Sequence, residues 1–134
     1  MISVTIDTND VFNALDAVQQ MDALRPPMVR SLARLQNAMA RYPAPPSGST
    51  YRRTGNYGRQ WTSSVDESGD GITGTLGNAV RDKRGRSYGP YVGDSERQAA
   101  IHRSRWLTDL LAVEQHMDAI VDDFGQAING VMNR

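Results

Sequence analysis

Ile2, Val4 and Ile6 alternate with Ser3, Thr5 and Asp7, the period of a strand with one buried face. Thr8, Asn9 and Asp10 follow, with side-chain oxygens that accept the unpaired N–H groups of a helix's first turn. Val11, Leu15, Val18 and Met21 then recur at helical spacing. Arg25-Pro26-Pro27 predicts an interruption, because proline has no N–H to donate and disfavours helical geometry in the residue before it. Proline suits a first helical turn, so Pro27 is expected to open a second helix. Its apolar stripe is Met28, Leu32, Leu35 and Met39, and its end is expected near Tyr42.

Residues 43–50, PAPPSGST, form a loop that is semi-rigid in its prolines and flexible in SGST, and the connection extends to residue 58. Trp61, Ser63 and Val65 then alternate with Gln60, Thr62 and Ser64, and Ile72, Gly74 and Leu76 with Thr73 and Thr75. With ESGDG between them as a turn, these two runs predict a β-hairpin. RDKRGRS, residues 81–87, is polar, basic and glycine-containing, the composition of a mobile loop. SYGPYVG predicts a short third strand that Pro90 confines to a sheet edge.

Trp106, Leu110, Val113, Met117, Ile120, Phe124, Ala127 and Val131 recur at steps of four and three, a heptad seam on one long helix. That seam packs either on the domain's own sheet and helices or in a bundle between copies, and the first is the expected arrangement. The chain is thus expected to be a single α+β domain over residues 1–134. A strand and N-terminal helices occupy 1–42 and a loop 43–58, a small antiparallel sheet with a basic loop occupies 59–93, and a long C-terminal helix, 106–131, packs on the sheet.

Composition qualifies this picture. Only 39% of the residues are hydrophobic and mean hydropathy is −0.53, so part of the burial is expected to come from partners. The net charge is zero, which gives no global field toward DNA or a membrane. The distribution is uneven, however: 0 over residues 1–50, +4 over 51–106 and −4 over 107–134, a polarity suited to head-to-tail contacts between copies. MISVTIDTND has acids and no long apolar run, so no signal peptide is expected, and no stretch is long enough to span a bilayer.

Catalytic and cofactor chemistry finds little support. No G-x-x-x-x-G-K precedes a helix, so RRTGN fails as a phosphate loop. The chain has no cysteine, and His102 and His116 are its only histidines, too few for a zinc site. His102 has no nucleophile or carboxylate orienter beside it in sequence. No catalytic residue, metal or cofactor is therefore expected, and no enzyme activity. Arg52, Arg53, Arg59, Arg81, Lys83, Arg84, Arg86, Arg97, Arg103 and Arg105, interleaved with Tyr51, Tyr57, Trp61, Tyr88 and Tyr91, leave a second class open. They would suit a small basic-patch nucleic-acid-binding protein that contacts phosphates and stacks on bases without reading sequence.

The order RTGNYGRQWTSSV, GITGTLGNAV, SYGPYV and QAAIHRSRW resembles the small tail-completion or neck proteins of long-tailed bacteriophages. Their pattern is R-T-G-x-L-x-x-S-W/I, a V-G-N-type second strand and Y-A-P-Y-V, with Q-A-x-I-H-x-G-R-W before a terminal helix in a subset. Arg53-Thr54-Gly55, Trp61, Leu76-Gly77-Asn78, residues 88–92 and Ile101-His102-Arg103 with Arg105-Trp106 match it. Tyr57 stands in place of leucine, Gly89 of alanine and Ser104 of glycine.

The resemblance covers residues 51–108 and implies a structural virion protein, made in the bacterial host cytoplasm, that forms a homo-oligomeric ring at the head–tail neck. Its implied partners are other copies of itself, head connector or adaptor proteins, and tail-tube or terminator proteins. Subunit or partner contacts are expected at Arg52, Arg53, Tyr57, Arg59, Tyr88, Tyr91, His102, Arg103 and Arg105. Arg81, Lys83, Arg84 and Arg86 face either DNA in the lumen, as a non-specific contact, or the next ring. Thr54-Gly55-Asn56 is expected to make the tight turn that feeds the sheet.

Overall fold

The computed structural model describes residues 1–7, 17–44, 48, 55–68 and 71–132. The order is β1 (Ile2–Asp7), α1 (Ala17–Met39), α2 (Asn56–Arg59), β2 (Trp61–Ser68), β3 (Gly71–Asn78), α3 (Gly89–Gly93), a 3₁₀ turn (Ala100–His102) and α4 (Asp109–Met132). The class is α+β, as expected. The three strands form one antiparallel sheet with the order β1-β3-β2.

The hairpin expected from alternation is β2–β3, and both strands run further than the alternating residues alone. The third strand is β1 rather than SYGPYVG, pairing Ile2 with Leu76 and Ile6 with Ile72. The register puts Ile2, Val4, Ile6, Val65, Ile72 and Leu76 on one face, where they join the main core. The opposite face is polar, with Thr5 and Thr73 hydroxyls hydrogen-bonded at 3.1 Å. SYGPYVG folds instead as the helical turn α3, because Pro90 sits at its start, where no N–H is needed. The Tyr91 N–H donates to the Tyr88 carbonyl and the Asp94 N–H to the Pro90 carbonyl, both at 3.0 Å.

Helix α1 corrects the expected break at Pro26-Pro27. It continues through both prolines and ends at Met39, close to the expected stop. Leu24, Met28, Leu32, Leu35 and Met39 form one buried stripe that crosses the prolines without a change of phase. Burying each such side chain contributes about 1.5–3 kcal/mol in gross terms, comparable to the ~3 kcal/mol cost of an interior proline. A helix broken at Pro27 would lose the Leu24 anchor. The expected first turn at Thr8, Asn9 and Asp10, and Val11 and Leu15, lie outside the described residues.

Gly74, at the middle of β3, is where α1 meets the sheet. A Cβ there would lie 2.5 Å from Met28 Sδ and 3.0 and 3.1 Å from the two Leu32 methyl carbons. Helix α1 packs on the sheet along one side and on α4 along another. The expectation placed the C-terminal helix across the sheet, whereas its principal partner is α1. Arg25 pairs with Glu67 of β2, and Arg30 with Asp123 of α4 through bonds of 2.9 and 2.7 Å.

The seam predicted on α4 is also corrected. Ala112, Ile120 and Phe124 are buried, but Leu110 and Met117 are 56% and 45% exposed, and Trp106 precedes the helix. A straight helix drifts about 20° per heptad from a strict seven-residue repeat. Val131, Phe124, Met117 and Leu110 therefore rotate progressively away from the core toward the N-terminal end. Thr108 caps this end, its hydroxyl accepting from the Leu111 N–H at 3.3 Å.

Gly74→Val is expected to destabilise the fold by about 1–3 kcal/mol through overpacking against Met28 and Leu32. Gly77→Ala, whose added Cβ meets nothing within 4 Å, serves as the control. Urea denaturation midpoints of the two variants check the contrast.

Candidate functional site

Segments distant in sequence close on a second, smaller core. Tyr57, Val80 and Val92 are buried in it, with Tyr42, Trp61, Tyr88 and Trp106 packed around them. The rings meet edge to face: Tyr57 with Trp61 at 5.6 Å, Tyr57 with Trp106 at 5.4 Å, and Tyr42 with Trp106 at 5.1 Å between centroids. Such pairs contribute about 0.5–1.5 kcal/mol beyond their buried area.

Hydrogen bonds tie the same segments together. Asn78 Nδ2 donates to the Tyr57 carbonyl at 2.8 Å, while its Oδ1 accepts from the Val80 N–H at 2.9 Å. Gln98 Nε2 donates to the carbonyls of Val92 and Trp106 at 2.7 and 3.1 Å. The Tyr42 hydroxyl accepts from the Gly58 N–H at 2.9 Å. Gly55 has φ +79°, the left-handed geometry expected at this turn, and leads directly into α2.

Tyr57 was expected at a contact surface. It is only 5% exposed, with its ring packed edge to face against Trp61 and Trp106, so it belongs to the core of the chain rather than to its surface. Burial pushes its phenol pKa far above the ordinary value, and the Asp109 charge adds to this. Arg59, Tyr91 and Arg103 are exposed, whereas Tyr88, His102 and Arg105 are half-buried. Arg52 and Arg53 lie outside the described residues.

The basic loop is a built turn. Arg81 and Ser87 form a β-bridge, and Arg81 donates to the Gly85 carbonyl. The Asp82 carboxylate accepts from the N–H groups of Arg84 and Arg86 and from Arg86 Nε, each at 2.9 Å. These bonds, led by the Arg86 backbone N–H, hold Asp82 below the usual carboxylate pKa. Lys83 and Arg84 are exposed at the turn.

Sequence reasoning passed over an open groove of about 700 Å³ beside α1 and α4. Arg30 and Arg34 line it from α1, Arg41 from just past the end of that helix, Arg105 from the segment before α4, and His116 from α4. No carboxylate lines it. Arg30 is engaged by Asp123, whose pKa is held low first by the Arg30 hydrogen bond and then by the charges of Arg30 and Arg34. The signal in the sequence was the four-residue spacing of Arg30 and Arg34, which places both on one helical face. Among the described residues no three His, Cys, Asp or Glu side chains gather as a metal site, and no helix is long and apolar enough to cross a membrane.

No family model matches the chain, and no curated protein or solved structure is similar to it at a significant level.

Asn78→Ala is expected to lower stability by about 1–3 kcal/mol, since it strands the Tyr57 carbonyl and the Val80 N–H. Loss of near-ultraviolet aromatic dichroism ahead of the helical signal would report opening of the small core first. His102 gives a pH signature. Burial, followed by the Arg105 charge, lowers its pKa from 6.5, and its buried Nδ1 has no hydrogen-bond partner. As pH falls below 6.5 the unfolded chain takes up this proton before the folded one, so stability is lost until the folded pKa is passed. Between about pH 7.5 and about pH 5.5, His102→Gln should therefore lose less melting temperature than the wild type.

Proposed function

We propose that this chain is a structural subunit of a tailed phage or prophage particle, a neck or tail-completion protein that works as a homo-oligomeric ring at the head–tail junction. The carrying observation is that the motifs behind the resemblance meet in one place. Tyr57 and Trp61, Asn78, Val92, and Gln98 with His102 and Trp106 come from four separate motifs and build the second core together. Ser104 adds support. It occupies the position where the phage pattern has glycine, and its φ is +62°, the region that glycine takes without strain.

On this reading the motif residues are a fastening that holds α2, β3, α3 and the approach to α4 together, and the exposed surfaces meet neighbours. Those neighbours are other copies, a head connector or adaptor below or above the ring, and a tail-tube or terminator protein. The built turn carrying Lys83 and Arg84 faces passing DNA or the adjacent ring. The protein is made in the host cytoplasm and ends in the virion. The arginine-lined groove also favours a second reading, a small protein that binds nucleic acid through its phosphates. Binding of that kind should weaken steeply as salt rises.

Immunogold labelling of purified particles is expected to mark the head–tail junction, and deletion of the coding sequence should leave filled heads and tails unjoined. Particles without label, together with normal joining in the deletion, would refute the neck assignment.

A further inference from the structure

We propose that the arginine-lined groove beside α1 and α4 receives the outer flank of α4 from a second copy of this chain, joining copies head to tail. This deepens the assembly reading above by naming the two surfaces that meet.

The groove is built to accept acidic and apolar groups together. Arg34 and Arg41 make no hydrogen bond or ion pair with the described residues, and no carboxylate lines the groove, although the Arg34 charge is felt by Asp123 outside it. Ala33, Ala38 and Leu107 give it apolar wall between the guanidinium groups. A partner filling it must bring carboxylates flanked by aliphatic side chains.

The outer flank of α4 has that composition. Leu110, Met117 and Val121 are 56%, 45% and 61% exposed, a run of large apolar side chains with no cover in the subunit. Glu114 and Asp118 are exposed beside them, and α4 contains no Lys or Arg to pair with them. Charge and hydrophobicity are thus complementary on the two surfaces. Each is incomplete without the other.

Their placement decides how copies join. At about 100° per residue, taking Ile120 at the centre of the buried face, Met117, Leu110 and Val121 fall about 60–100° to one side. His116 and Gln115, the α4 residues in the groove, fall to the other side. The flank and the groove therefore lie on opposite sides of α4, so one subunit cannot fill its own groove. A flank-in-groove contact is heterologous. It leaves one free flank and one free groove, and repetition closes a ring when the rotation between copies divides a full turn.

Two variants test the contact, R34E/R41E in the groove and E114R/D118R on the flank. All four positions are exposed, and circular dichroism melting of each variant verifies that it folds. In sedimentation velocity at low salt, the wild type is expected to show mass rising with concentration. Each variant alone should associate at least tenfold more weakly. An equimolar mixture should recover assembly, because each variant's flank then carries the charge opposite to the other's groove. Wild-type oligomers that persist in both folded variants would overturn this contact while leaving the ring reading intact. A wild type that stays monomeric at every concentration would also overturn it, and particle labelling judges the ring reading separately. If R34E/R41E instead abolishes binding of a fluorescent single-stranded oligonucleotide while oligomers persist, the groove serves phosphate and the proposal falls.

Discussion

The close seat of α1 on Gly74 is the contact from which the rest of the subunit is organised. With no side chain at the middle of the central strand, Met28 and Leu32 descend onto the sheet. The Leu24 to Met39 stripe is then buried along its length, which keeps the helix intact through two prolines. A helix held this firmly fixes what lies on its other sides. It supplies the bed for α4 through the Arg30–Asp123 pair, and it aligns Arg30 and Arg34 on one wall of the groove. An exposed ion pair of this kind contributes little stability by itself, so it sets the position of α4 more than its stability.

The second core has a different task. Its residues come from loops and short turns that have little regular structure of their own, and loops left unsupported are the least stable parts of a domain. Here Asn78 and Gln98 each use a side-chain amide to satisfy the backbone of two other segments. Edge-to-face rings fill the space between them. This arrangement explains why short sequence motifs with no chemistry of their own can mark a fold. They are the parts that clasp each other, and each has meaning only in the presence of the rest.

What was legible in the sequence was local. The alternation in β1, β2 and β3 depends on pleat alone, and the hairpin followed from it. Three features depend on packing and were not legible. Continuity through Pro26-Pro27 needs the sheet beneath Leu24 and Met28. The true face of α4 needs α1 as a partner, since a seven-residue repeat by itself does not show where its drift leaves the core. Tyr57 looked like an interface residue because arginines surround it in sequence, yet its ring turns inward while Arg59 stays out. The groove was partly legible, in the four-residue spacing of Arg30 and Arg34 along α1. Its remaining wall comes from Arg105 and His116, which only the fold brings near.

The charge distribution leads to the same surfaces. The chain is neutral, yet its middle carries +4 and its last quarter −4. If these cancelled within the subunit, the acids of α4 would be paired with the central arginines. Among the described residues, Asp123 is the α4 acid paired with an arginine, and that arginine belongs to α1. Among the described residues, the basic side chains of the central segment that form ion pairs do so locally instead, Arg86 with Asp82 and Arg97 with Asp94. Glu114 and Asp118 are consequently left with the apolar flank of α4, on the opposite side from the arginine groove. In water such separated charges gain little from each other across a molecule, since the Debye length at physiological salt is about 8 Å. Their separation gains value when a neighbouring copy brings opposite signs into contact and excludes the solvent between them.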